Sequence, residues 1–101
     1  MKEFEIISNG GVMADHIQVP APYEAAVASL FGPVLDMATA NSVVAVIDEA
    51  KQKLQADPEK YRALLTSDDG LGLRHIRQML DSMRGLLVTF PDATVSGLVE
   101  P

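Results

Sequence analysis

Residues 25–47 read AAVASLFGPVLDMATANSVVAVI, with one charge, Asp36. No other stretch is as apolar for as long, so its reading decides the fold. A membrane span wants roughly 18 or more uninterrupted apolar residues. Here Asp36 divides the run, and a central Asp costs about 2.5–3.5 kcal/mol on the insertion scale. Gly32-Pro33 stops or kinks a helix, and Asn41 or Ser42 can cap a new one. The run therefore reads as up to three helical pieces at the heart of a small domain. Its small residues suit close helix contacts, either as the core of one chain or as half the core of an assembly.

The first piece extends back to Pro22, which suits the first position of a helix. Tyr23, Ala26, Val27, Leu30 and Phe31 follow helical spacing, predicting a helix over 22–31. Val34, Leu35, Met37 and Ala38 suggest a short helical segment beyond the Gly-Pro break. The third piece predicts a helix over 42–56, with Val43, Val44, Val46, Ile47, Ala50 and Leu54 inward. A short buried strand over 43–47 is the alternative, because periodicity does not separate the two in so short a run.

Upstream, residues 2–19 read as a β-hairpin. Phe4, Ile6 and Ile7 precede Asn9-Gly10-Gly11, and Val12, Met13, Ile17 and Val19 follow. Asn-Gly between apolar runs is the strongest short hairpin signal. The adjacent apolar pairs Ile6-Ile7 and Val12-Met13 suggest a bulge or two covered faces.

Downstream, Asp57-Pro58-Glu59 is a helix start, predicting a helix over 58–66. A polar turn leads to a helix over 71–84, with Leu73, Ile76, Met79, Leu80 and Met83 as its buried stripe and Gly85 placed to end it. Residues 86–90, LLVTF, read as a strand able to pair with the hairpin. The tail from 94 reads as a further short strand or a segment lying on a neighbouring subunit.

The chain has 101 residues, 48% hydrophobic and 22% charged. That suffices for one core and is too little for two. The expected architecture is α+β in a single domain, 1–101: a hairpin at 2–19, a helical core of three to four short helices at 22–85, and a C-terminal strand and tail at 86–101, the strand pairing with the hairpin. There is no cysteine, which excludes disulfides, thiolate metal sites and cysteine nucleophiles. No secretory leader is legible, and the expected location is cytoplasmic.

The formal net charge is −6. Residues 1–50 hold Lys2 against seven acids, whereas the second half is balanced. A phosphate backbone or an anionic lipid surface is repelled by such a first half, so neither direct nucleic-acid binding nor membrane association is expected.

The run Asp68-Asp69-Gly70-Leu71-Gly72-Leu73-Arg74-His75-Ile76-Arg77 sets two glycines before a helix with basic residues in its first turns. Backbone N–H groups and positive charge there would suit an anion, with Gly70, Gly72, Arg74 and Arg77 as contacts. The run resembles the glycine box of the histidine-kinase-type ATPases. That resemblance implies phosphate contacts by Gly70, Gly72 and Leu73, and adenine reading by Asp68. It covers about residues 68–90 and departs from the family in merging two glycine boxes into one. Asn41 also lacks the family's magnesium-ligand context. Turn geometry before a helix accounts for the same glycines.

His16 and His75 have no Asp, Glu or His partner at helical metal spacing. No catalytic residue, cofactor or metal is assigned, and whether the chain is an enzyme is left open. The expected function is a non-catalytic protein–protein interaction module that self-associates, with a protein partner, itself, or both. Its contact residues would be Tyr23, Val27, Leu30, Phe31, Val43, Ile47, Val95 and Leu98. The one-sided acidity gives an alternative, a small inhibitor or decoy of the kind viruses encode, occupying the basic site of a nucleic-acid-binding protein. A nucleotide- or anion-binding domain using the Gly70–Gly72 loop is the third reading.

Overall fold

A computed structural model describes residues 2–8, 13–32, 35–65 and 72–99. The fold is α+β. Strands β1 (Lys2–Ile7) and β2 (Met13–Val19) pair antiparallel, and a 3-10 turn at Ala21–Tyr23 leads into helix α1 (Glu24–Phe31). Strand β3 (Leu35–Thr39) runs straight into α2 (Ala40–Ala56). Then come α3 (Pro58–Arg62), α4 (Leu73–Thr89) and β4 (Thr94–Val99). The sheet order is β2-β1-β4-β3, with every neighbouring pair antiparallel. The expected pairing of a C-terminal strand with the hairpin is therefore present, although the turn at 9–12 lies outside the described residues.

The strand that pairs is not the one at 86–90. That segment belongs to α4, which continues to Thr89. Leu87 is buried and extends the stripe Leu73, Ile76, Leu80, Met83 by one more turn, while Val88 and Thr89 face solvent. Gly85 sits on the exposed side of the helix without a left-handed φ, so it does not act as a stop. The pairing strand is instead the tail, β4.

A second correction concerns residues 34–38. Val34 lies outside the described residues, and Leu35, Met37 and Ala38 do not make a helical piece; residues 35–39 form β3, on the outer side of β4, with Ala38 opposite Val95 and Thr39 opposite Thr94. The stretch 22–85 thus contains a strand. Between Leu35 and Ala38 the register slips, Met37 adopts φ 50°, and its N–H donates to Ser96 Oγ at 3.0 Å. This is a bulged edge strand.

Helix α2 starts earlier than the sequence suggests. Thr39 is its cap: its Oγ1 accepts from the Ser42 N–H at 3.4 Å, and Ser42 Oγ donates back to the Thr39 carbonyl at 2.9 Å. Residues 43–47 are helical, which removes the alternative of a buried strand. Asp57 caps α3 as expected, accepting from the Lys60 N–H at 3.4 Å.

The helices cover one face of the sheet. Phe4, Ile6, Val19 and Val95 from the strands meet Val27, Leu30 and Phe31 of α1, Val43, Ile47 and Leu54 of α2, and the stripe of α4. Phe4 and Phe31 are tilted against each other with ring centroids 4.8 Å apart. No helix among the described residues is long and apolar enough to cross a membrane.

Candidate functional site: the cleft between β2 and α4

Because β1 is paired on both sides, β2 is left as an outer strand. Its chain neighbour in space is the flank of α4. The inward stripe of α4 is spaced by three and four residues, which turns His75, Gln78 and Ser82 to one side of it. Between that flank and β2 lies an open cleft of about 540 Å³. Strand β2 contributes Asp15 to Gln18, and α4 contributes His75, Gln78, Met79 and Ser82.

Both histidines of the chain line this cleft, a convergence that their separation of 59 positions hides in the sequence. Each has a partner. The His75 imidazole stacks on Tyr23, with centroids 4.5 Å apart and planes inclined by 11°. His16 Nδ1 lies 3.3 Å from Glu3 Oε2, and Glu3 is the one charged side chain among the described residues that is buried. The sequence signal for this contact is the hairpin register. Glu3 stands opposite Gln18 and Glu5 opposite His16, so residues 3 and 16 are diagonal neighbours on one face.

Asp15 and His16 point to opposite faces, as alternation in a strand requires. Their contact is through the main chain: the His16 N–H donates to Asp15 Oδ1 at 2.7 Å. The cleft therefore offers amides, a hydroxyl, two partnered imidazoles and the outer side of a strand. That set is suited to hydrogen bonding with another main chain.

The residues singled out from the sequence fall elsewhere. Tyr23, Val27, Leu30, Phe31, Val43, Ile47 and Val95 are all buried within the single chain, and Leu98 is half-buried against the same core. They pack together in the core of this chain. Among the described residues the large apolar side chains left exposed are Met37, Val88 and Phe90, none of which periodicity marks out.

Of the anion-site candidates, Gly70 lies outside the described residues, as does Asp68. Gly72 precedes α4 with φ 55°, and Arg74 and Arg77 are exposed. Arg77 lines a smaller cleft of about 310 Å³ against α2, together with Lys51, Gln55 and Asp81. Lys51 Nζ there already contacts Asp81 Oδ1 at 2.7 Å. Among the described residues no group of three or more His, Asp or Glu side chains is arranged to hold a metal ion.

Comparison with protein-family models, with curated proteins and with solved structures finds no match.

Proposed function

We propose that this chain is a non-catalytic protein–protein interaction module that self-associates. The observation that carries the reading is the inequality of the two sheet edges. Edge strands are templates for pairing, and proteins blunt them with bulges and charges. Strand β3 carries both in its middle, in the slip at Met37 and in Asp36, whereas β2 carries its slip and Asp15 toward one end and keeps 15–19 in regular register. Strand β2 is longer, and a cleft runs beside it with polar groups on its far wall. Strand addition beside a helix is a recurring mode of protein recognition. The partnering of both imidazoles, one with Tyr23 and one with Glu3, favours a binding role for the cleft over proton transfer. Size-exclusion chromatography with light scattering tests the proposal. A mass that rises toward twice the chain mass with concentration is expected; a strict monomer throughout would sink it.

A second reading is an acidic decoy for a basic site. Glu5, Asp15, Glu24, Asp36 and Glu49 have no ion-pair partner among the described residues, which leaves the first half of the chain with unbalanced surface charge. The salt dependence separates the two readings. A complex with a basic partner weakens steeply as salt rises, whereas association of two like-charged copies does not.

A further inference from the structure

Resting on the reading that the chain self-associates, we infer that two copies join through the outer edges of their β2 strands, about a two-fold axis at Ile17, so that the two four-stranded sheets become one.

The argument begins with the straight part of the strand. The β1–β2 register slips where Ile6 faces Asp15 and Ile7 faces Met13, which places the bulge at residue 14. Pro20 ends the strand on the other side, and Pro offers no N–H to a neighbouring strand. The regular run left between them is 15–19, and Ile17 is its middle residue. A two-fold pairing that uses the whole run has to be centred there.

The direction of the main-chain groups agrees. The His16 N–H is taken by the carboxylate of its own neighbour, Asp15, which marks that amide as lying on the outer side of β2. Alternate residues of a strand direct their N–H and C=O groups the same way, so Gln18 also offers its groups outward. Antiparallel pairing brings outward-facing residues opposite one another. About an axis at Ile17, His16 stands opposite Gln18 of the second copy, on both sides of the axis. Ile17 meets its own counterpart in the intervening pair, where side chains come closest.

The side chains suit a second copy as occupant. Residues 15–19 are DHIQV, with one charge at one end. The two-fold sets Asp15 opposite Val19 of the second copy. The two Asp15 carboxylates are then four residues apart along the strand direction, roughly 14 Å. That is beyond the screening length of about 8 Å at physiological salt. Centring the pair on His16 would halve this separation and oppose two imidazoles. The cleft beside β2 leaves room for the incoming strand, with Gln78 and Ser82 of α4 on its far wall.

The chain has no cysteine, so single introduced thiols report the register cleanly. Residues directly opposite in an antiparallel pair lie within disulfide reach, whereas His16 and its own counterpart would be roughly 8 Å apart and out of reach. His16 and Gln18 are both exposed, so His16→Cys and Gln18→Cys leave the core intact. Mixing the two variants under mild oxidation is expected to give a cross-linked heterodimer about tenfold above the homodimer from either alone. Ile17→Cys is expected to cross-link by itself. A dimer by light scattering with cross-links absent, or in another register, overturns the β2 pairing and leaves self-association standing. A monomer without cross-links removes both.

Discussion

The imidazole of His75 lies flat on the ring of Tyr23, with centroids 4.5 Å apart. The contact ties the first turns of α4 to the 3-10 turn that follows β2, and so sets the helix flank that faces the strand. Tyr23 is buried and belongs to the core. Tyr23→Ala should therefore cost about 3–5 kcal/mol, as for other large aromatic truncations. His75→Ala removes mainly the stacking, roughly 0.5–1.5 kcal/mol. Urea denaturation of the two single variants and the double variant checks this; the double variant should fall short of the sum, because the pair shares one contact.

Two glycines should respond in opposite directions to alanine. Gly85 is inside α4 on its exposed side, and a Cβ there meets nothing within 4 Å. Gly85→Ala should stabilise by about 0.5–1 kcal/mol through helix propensity and a less free unfolded chain. Gly97 lies against Phe4, and a Cβ there would overlap the ring. Phe4 is itself buried against Phe31, so its ring has little room to retreat. Gly97→Ala should cost about 1–3 kcal/mol. Thermal unfolding of both variants distinguishes the signs.

The hairpin is legible in the sequence because a single turn signal sits between apolar runs, and Asp57-Pro58 is legible because cap and proline act locally. Residues 35–39 are not, since Leu35, Met37 and Ala38 fit either period in so short a run, and their state is settled by the free side of β4, sixty positions away. Residues 86–90 mislead because β-branched and aromatic residues follow a glycine. The continuing stripe at Leu87 outweighs that local preference once the core is assembled. The cleft is hidden for a related reason. Its two walls come from the hairpin and from α4, and nothing in either segment names the other.

The surface of the α2–α4 pair gives a prediction about pH. Arg84 Nε donates to Asp48 Oδ1 at 2.9 Å. That hydrogen bond, then the charge of Asp48 and more weakly that of Asp81, hold the guanidinium above its ordinary pKa against a smaller effect of burial. A group whose pKa rises on folding contributes fully below its unfolded value and loses that contribution only as pH climbs through the folded one. For an arginine both values lie far above neutrality. The stability difference between the native chain and Arg84→Gln should therefore be constant from about pH 6 to about pH 9. Denaturant titrations at several pH values check it, and a difference that shrinks within that window would contradict the assignment.

Asp15 stands at the outer edge of β2 as an internal competitor. Its carboxylate accepts the His16 N–H at 2.7 Å, the position that a neighbouring strand's carbonyl takes in a paired sheet. Joining a second strand must displace it, and its charge adds to a chain that is already at −6. Asp15→Ala removes both the competitor and the charge; Asp15→Asn removes the charge and leaves a weaker acceptor. Self-association should tighten in the order native, Asn, Ala. A hydrogen bond contributes a net of about 1 kcal/mol, and one is displaced in each of the two copies, so the alanine variant should associate roughly thirtyfold more tightly. Sedimentation equilibrium measures the constants. Added salt should tighten the native chain more than the alanine variant, because screening relieves a repulsion that the variant partly lacks. Weaker association of Asp15→Ala would mean that this carboxylate contributes to the contact, and that the edge pairs in a different register.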